Sequence, residues 1–102
     1  MAGFVQIIEY STARIEEVRV LSEKHRADRA AAGDEILVKR ATAAADRDRP
    51  GTYLTILEFD SYESAMANSK RPETSEFAAR MGELCDGPPK FYNLDVQELW
   101  QA

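Results

Sequence analysis

The sequence predicts an α+β domain in which a four-stranded antiparallel sheet carries two helices on one face. Apolar runs of strand length alternate with longer stretches of helical spacing in the order βαββαβ, which is the order of the split-βαβ, or ferredoxin-like, fold. The third run, 52–59, leads straight into a helix start without a long connection. The length of 102 residues suits one domain, so we expect 1–102 to fold as a single unit.

The first strand and helix are predicted from a change of period near Ser11. In residues 3–10 the side chains alternate between two faces, as in a strand. One of these faces carries Phe4, Gln6, Ile8 and Tyr10. Ser11 and Thr12 are both suitable N-caps for a helix over about 13–31, and Gly33 is a suitable stop.

Three further strands are predicted after the first helix. They lie at 35–43, 52–59 and 91–99, and a charged hairpin loop over 44–51 joins the first two of them. The contiguous apolar residues in these runs suit a sheet that is covered on both faces.

The second helix is predicted over 61–82, between the third and fourth strands. Asp60 and Glu63 have the spacing of a capping box at its start. Pro72 lacks a backbone N–H, so we expect the helix to break there and a second helical piece to follow.

The composition excludes several classes of function. The formal net charge is -5, from 13 basic and 18 acidic residues, and no basic cluster stands out, so no nucleic acid or anionic membrane is expected as a partner. No run approaches the ~20 apolar residues of a membrane span. The single cysteine, Cys85, cannot form an internal disulfide. We therefore expect a cytoplasmic protein.

Both faces of the predicted sheet are apolar, whereas a strand with one face in water should alternate apolar and polar residues. In the third strand Leu54 and Ile56 lie on one face, and Leu57 and Phe59 lie on the other. Two helices can cover only one face. We expect the other to meet the same face of a second copy, in a two-fold dimer with an apolar space between the sheets.

The chain resembles the dimeric α+β barrel superfamily and, within it, the antibiotic-biosynthesis-monooxygenase-like branch. The resemblance covers nearly the whole chain and is carried by its length, its element order and the unit LTILEFDSYESAMANS…PETSEFAARM. In that branch an aromatic residue, an acid or Ser, and then E-x-A lead into the second helix. Its members include cofactor-independent monooxygenases, haem-degrading enzymes, isomerases and stress-response proteins. The resemblance implies a homodimer whose barrel holds a small apolar or aromatic ligand.

Haem and other cofactors are not expected. Haem-degrading relatives ligate iron through a histidine on the second helical segment, but no histidine lies between Asn68 and Met81 here. No second histidine and no cysteine pair could complete a metal site. Asn68 could instead hydrogen-bond a substrate carbonyl, or it could cap the carboxyl end of the helix before Pro72.

His25 is the only histidine and the candidate catalytic residue. It extends the apolar stripe of the first helix, formed by Ile15, Val18 and Leu21. A general base that works near neutral pH needs such a group at the edge of an apolar pocket, where burial would lower its pKa. The alternative is a surface histidine with an ordinary pKa of ~6.5.

Four sheet residues are expected to share a face, namely Gln6, Tyr53, Thr55 and Arg40. If that face lines the dimer cavity, it would form a wall for a planar substrate. Gln6, Tyr53 and Thr55, together with Asn68, are therefore the candidate ligand-binding residues. Trp100, the sole tryptophan, is expected to pack either on its own sheet or across a dimer.

Three functions are compatible with these features. The first is an enzyme of the cofactor-independent monooxygenase type, acting on an aromatic or polyketide-like substrate. The second is a non-catalytic small-ligand-binding or stress-response protein, and the third is a structural interaction domain. The first two both require a closed cavity. They differ in whether polar groups such as His25 and Gln6 converge on it.

Overall fold

The computed structural model describes residues 3–33 and 35–102, and these follow the predicted element order. The elements are β1 Phe4–Ser11, α1 Ile15–Ala32, β2 Val38–Ala45, β3 Thr52–Phe59, α2 Tyr62–Ser69, α3 Pro72–Leu84 and β4 Lys90–Asp95. The helix predicted over 61–82 is two helices. Pro72 occupies the first position of α3, where its missing N–H would have had no partner within the helix.

The four strands form one antiparallel sheet in the order β2-β3-β1-β4. β1 is central, so Gln6 lies opposite Leu57 of β3 on one side and opposite Asn93 of β4 on the other. α2 packs on β1 and β3, and α1 packs on α3. This arrangement confirms the predicted ferredoxin-like fold, with the helices on one face of the sheet.

Thr12 connects β1 to the far end of α3. Its buried hydroxyl donates to the Leu84 carbonyl at 2.5 Å and accepts from the Arg14 N–H at 2.9 Å. α1 starts at Ile15 rather than at 13, and the side chain of its N-cap residue Arg14 makes no capping hydrogen bond. The predicted stop at Gly33 is confirmed by its left-handed φ of 71°, a conformation that suits glycine.

The start of α2 lies one residue later than the capping box predicted. β3 pairs as far as Phe59 and the first helical residue is Tyr62, so the N-cap position falls on Ser61. The Ser61 hydroxyl accepts from the Ser64 N–H at 3.1 Å. The Asp60 carboxylate lies instead 3.4 Å from the Lys39 ammonium. The prediction that Asp60 caps this helix was wrong.

Buried side chains gather at two ends of the covered sheet face. At one end Phe4, Phe59 and Ala65 form a core cluster. Half-buried Leu37, Val38, Leu57 and Met66 pack around it. At the other end Tyr10 is buried close to Tyr53. The stretch between the two ends is less completely covered.

Residues 96–102, beyond β4, form no helix or strand. The Val96 N–H donates to the Gly3 carbonyl at 2.9 Å, which continues the pairing of β4 with the start of the chain. Regular structure ends there, short of the predicted limit at 99. Leu99 and Trp100 are 74% and 79% exposed.

Candidate functional site

The candidate site is the centre of the sheet face that the helices cover. Strand alternation places Gln6 and Ile8 between buried Phe4 and buried Tyr10 on this face. Thr55, directly opposite Ile8 on β3, lies on the same face. These central side chains are half-buried, unlike Phe4 and Tyr10 at the two ends.

An amide pair lies at the β4 side of this sheet face. Gln6 Nε2 donates to Asn93 Oδ1 at 3.0 Å, across the register of β1 and β4. The neighbours of Gln6 on this face are apolar, with Phe4 and Ile8 on its own strand and Leu57 on β3. A half-buried amide therefore stands among hydrocarbon side chains, which is typical of a group that orients a ligand.

Two tyrosines and a threonine lie at the other end of the same face. The Tyr10 and Tyr53 rings stack with centroids 5.8 Å apart and planes at 29°. Burial raises the pKa of the Tyr10 hydroxyl, and the nearby Thr55 side chain partly offsets this effect. Tyr10 is thus a neutral hydroxyl at physiological pH, able to donate or to accept.

Arg40 does not share this face, contrary to expectation. The register of β2 shifts between Val38 and Arg40. Val38 lies opposite Phe59 and Arg40 lies opposite the next residue, Glu58, so β2 contains one extra residue at this point. Such a bulge reverses the alternation that follows it. Arg40 therefore lies on the uncovered face, where its Nε is 2.5 Å from Glu58. Of the four residues expected to share a face, only Gln6, Tyr53 and Thr55 do so, and that face is the helix-covered one.

Asn68 lies near the end of α2, and its side chain is half-buried. Its backbone carbonyl accepts from the Arg71 N–H at 3.3 Å. The main chain at Asn68, rather than its amide, therefore takes part in ending the helix. The amide remains a candidate ligand group, since α2 is the helix that packs on β1 and β3.

His25 lies in a separate place, a groove between α1 and α3 of about 260 Å³. The groove is lined by helix residues, among them Leu21, Asp28, Glu73, Glu76 and Arg80. The imidazole stacks on Phe77 with ring centroids 4.4 Å apart. Burial lowers its pKa, and the nearby charge of Arg29 adds to this effect. The structure thus does not place His25 beside Gln6, Tyr53 or Thr55.

A second groove between the same helices has a volume of about 590 Å³. It is open and is lined mostly by charged side chains, with Val20, Leu21 and Leu84 among them. Cys85, just beyond α3, is half-buried, and burial raises the pKa of its thiol. A thiol of this kind is a poor nucleophile.

Neither a metal centre nor a membrane span is found in the part of the chain that the structure describes. Within 3–33 and 35–102, no three His, Cys, Asp or Glu side chains are grouped so that they could hold a metal ion. The helices in those ranges are too short or too polar to cross a bilayer.

The opposite face of the sheet has no helix over it. Its centre is apolar and is formed by Val5, Ile7, Leu54, Ile56 and Leu94. Most charged residues at the ends of this face are paired within the chain, and the Lys90 ammonium lies over the Tyr92 ring, 5.0 Å from its centroid. Arg40 pairs with Glu58, and Arg49 bridges Asp46 at 2.8 Å and Glu9 at 3.4 Å.

Comparison with solved structures gives matches over almost the whole chain. The cofactor-independent oxygenase SnoaB from Streptomyces nogalater is 12% identical, with a TM-score of 0.78 and 97% of each chain covered. A protein provisionally described as an antibiotic biosynthesis monooxygenase from Caulobacter crescentus is 16% identical, with a TM-score of 0.78 over 95% of this chain and 92% of that one. A conserved protein from Methanosarcina mazei Go1 is 10% identical, with a TM-score of 0.77 over 92% of each chain.

The chain has the fold of the antibiotic-biosynthesis-monooxygenase-like proteins. This agrees with the branch of the dimeric α+β barrel superfamily that the sequence resembles. At these identities the likeness extends to the fold alone. No protein-family model matches the chain, and no curated protein matches its sequence.

Asn93 is the site residue that sequence reasoning missed. The predicted last strand contains one uncharged amide between Phe91 and Asp95, which face the same side of the sheet. Strand alternation predicts an apolar residue at this position, and the polar Asn93 there was the signal in the sequence that could have identified it. Its partner Gln6 could be found only from the strand order, because the two residues are far apart in sequence.

Proposed function

We propose that this protein is a small-molecule enzyme of the cofactor-independent monooxygenase type, acting on an aromatic or polyketide-like substrate. The observation that carries the proposal is the half-buried, partly polar centre of the helix-covered face. There Gln6, Tyr53 and Thr55 stand among apolar side chains on a rigid sheet. An apolar pocket with a few fixed polar groups suits a planar ligand of this kind.

The chemistry asks little of the protein beyond binding and the exclusion of bulk water. In the overall reaction the substrate supplies all the electrons. A CH₂ group becomes C=O as O₂ is reduced, with one oxygen atom entering the product and the other leaving as water. The aromatic rings and apolar side chains of this face would hold the substrate, and its hydroxyl and amide groups would orient it. The similarity to SnoaB, described as a cofactor-independent oxygenase, supports this choice.

The site residues of this proposal are Gln6, Tyr53 and Thr55 on the sheet, with Asn68 contributed from α2. His25 is the only imidazole and remains a candidate base, although it would act from the groove between α1 and α3. If the base is instead a site hydroxyl or water, replacing His25 by Gln should leave turnover unchanged.

We also propose that the functional unit is a cytoplasmic homodimer in which the uncovered sheet faces meet. The support is the apolar centre of that face and the internal pairing of the charges at its ends. Covering such a face would leave few charges without partners. Since Gln6, Tyr53 and Thr55 lie on the opposite face, each protomer would keep its own site beneath its helices.

The enzyme proposal can be tested by oxygen consumption. Purified protein is mixed with a dihydroxyanthrone as the polyketide-like probe, and O₂ uptake and the quinone product are followed together. We expect equimolar uptake of O₂ and formation of quinone, faster than in buffer, and a loss of about 10-fold or more in Gln6→Leu. Uptake at the buffer rate for the wild type would reject this enzyme activity.

The second candidate is a binding protein of the same fold that does not turn its ligand over. The same polar groups would then only orient the ligand. Native mass spectrometry of the purified protein separates the two candidates when combined with the oxygen measurement. A co-purified aromatic compound that stays unchanged under O₂ would favour the binding protein.

A further inference from the structure

We infer that the Gln6–Asn93 pair makes the proposed site selective for a neutral hydrogen-bond donor, such as the un-ionised hydroxyl of an aromatic ligand. Asn93 is the positioning residue in this arrangement. The inference rests on the proposed function and deepens it, since it states which form of the ligand the site accepts.

The hydrogen bond between the two amides has a defined direction. Gln6 Nε2 donates to Asn93 Oδ1 at 3.0 Å, which fixes the orientation of the Gln6 amide. Its oxygen, Oε1, then points away from Asn93. Within 3–33 and 35–102 no side chain or backbone group donates to this oxygen. No side-chain oxygen or nitrogen in these ranges is both buried and unpaired, so Gln6 Oε1 is accessible from outside.

Only a hydrogen-bond donor can satisfy the Gln6 Oε1 atom. An amide oxygen accepts hydrogen bonds and never donates them. The surrounding Phe4, Ile8 and Leu57 side chains offer no donor. Water can donate to this accessible oxygen, so a ligand that displaces the water has to bring the donor itself. An ether or a phenolate at the same place would put an acceptor against an acceptor.

The described strands bring no cationic side chain to the covered face. Strand alternation places no Arg or Lys of the described strands there. Arg40 and Lys90 lie on the uncovered face, and Lys39, at the bulge, pairs with Asp60. On α1, the Arg19 side chain is exposed and its guanidinium pairs with the Glu16 carboxylate at 2.6 Å. A phenolate would lose its hydration without gaining a cation, so the neutral hydroxyl is preferred.

The test uses two ligands of matched shape, 2-naphthol and 2-methoxynaphthalene, of which only the first carries a donor. Their dissociation constants are measured by fluorescence titration of the full chain. We expect the wild type to prefer the naphthol by about 3- to 10-fold, the value of one neutral hydrogen bond. The methyl group of 2-methoxynaphthalene adds bulk, which by itself changes the affinity. The ratio of the two dissociation constants in Gln6→Met, which lacks the amide, therefore serves as the baseline.

Two variants of the exposed Asn93 separate positioning from a structural role. Asn93→Leu removes the acceptor for Gln6 Nε2 and frees the amide to turn, so the preference should fall to the Gln6→Met baseline. Asn93→Asp still accepts from Gln6 Nε2, so it should keep the preference. A merely structural effect of Asn93→Leu would weaken the binding of both ligands equally and leave the ratio of their dissociation constants unchanged.

The outcomes distinguish the inference from the proposed function. A wild type that binds both ligands, with the same ratio as Gln6→Met, would overturn the selectivity and leave the aromatic site standing. A ratio that survives in Asn93→Leu would overturn the positioning role of Asn93. Absence of binding for both ligands would reject the proposed site and this inference together.

Discussion

The imidazole of His25 is held by an aromatic ring on one side and by ion-paired helix residues around it. Phe77 stacks on it at 4.4 Å. Beside it the Arg29 guanidinium pairs with Glu73 at 2.7 Å, joining α1 to α3. Partial burial disfavours the charged imidazolium, and the Arg29 charge acts in the same direction. Asp28 and Glu73 oppose this effect, but burial is the larger cause.

A first prediction concerns the pKa of His25. An NMR titration of this single histidine should give a pKa below the ordinary ~6.5. In the pH range between the folded-state pKa and the unfolded value, the unfolded chain binds more protons. Stability should therefore be complete above the unfolded pKa and fall as the pH drops through this window.

The control for this prediction is His25→Gln, whose unfolding free energy should lack that fall in acid. A further variant, His25→Ala, should lose about 1 kcal/mol at neutral pH because it removes the ring stack. A pKa at or above the ordinary value would show that the imidazole is not desolvated in the groove.

At the scale of elements, the junction between β1 and α1 contains one buried hydroxyl, that of Thr12. Thr12 is 3% exposed and serves the Leu84 carbonyl and the Arg14 N–H at once. The end of α3 is thus attached to the start of α1 by this side chain, next to a backbone hydrogen bond from the Asp86 N–H to the Ser11 carbonyl at 2.8 Å. Such a group costs more when removed than an exposed cap does, because its partners are partly buried.

A second prediction follows for Thr12→Val, which keeps the shape and removes the hydroxyl. Its unfolding free energy should fall by about 2 kcal/mol, since a carbonyl and an N–H lose their partner. Thr12→Ser keeps the hydroxyl and should lose only about 1 kcal/mol, for one missing methyl group. Ser11→Ala, at an exposed neighbour, should change stability by less than about 0.5 kcal/mol. A loss in Thr12→Val as small as that in Ser11→Ala would show that the Thr12 hydroxyl does not stabilise this junction.

At the scale of the whole molecule, the sheet has one face under helices and one apolar face without cover. A face of this kind is typical of an interface with another chain. A stable interface of ordinary size buries about 800 Å² on each partner. The exposed tail, with Leu99 and Trp100, adds further apolar area beyond the edge of the sheet.

A third prediction is that sedimentation at micromolar concentration gives twice the chain mass of 11.5 kDa. Ile7→Glu, at the centre of the uncovered face, should weaken the dimer roughly a thousandfold, because a buried unpaired carboxylate costs about 4 kcal/mol. Val20→Glu makes the same chemical change at a residue that is 66% exposed on α1. That variant should remain dimeric, and a monomeric wild type would reject the proposed assembly.

A fourth prediction concerns Trp100, which is 79% exposed in the single chain. The structure does not pack it on its own sheet, so packing across a dimer is the remaining expectation. Because it is the sole tryptophan, its fluorescence reports the environment of the tail directly. Emission should be blue-shifted in the wild type relative to the Ile7→Glu variant. Identical, water-like emission from both would leave the tail outside the interface.

Much of the fold could be predicted because it follows from local pattern. Alternation placed Phe4, Gln6 and Tyr10 on one face of β1, and Gly33 ended α1 through its left-handed conformation. The start of α3 at Pro72 and the turn at Gly51 also depend on residues close in sequence. Errors of one or two residues arose where tertiary contacts competed with local capping, as at Thr12 and Asp60.

The candidate site could be predicted only in part. Gln6, Tyr53 and Thr55 were placed together correctly because each lies in a regular strand. Arg40 was misplaced because a bulge has no reliable sign in a single sequence. His25 followed the apolar stripe of α1, but α3 meets that helix there, so the ring stacks on Phe77 in a helix–helix groove.

The sequence by itself determined the order of the elements, the apolar character of both sheet faces and the residues available for chemistry. These depend on period and composition, which are local properties of the chain. Only the tertiary structure decided which face the helices cover, that Arg40 is separated from Gln6, and that Asn93 orients the Gln6 amide. The physical reason is that strand order and register join residues distant in sequence, and one bulge reverses every side chain beyond it.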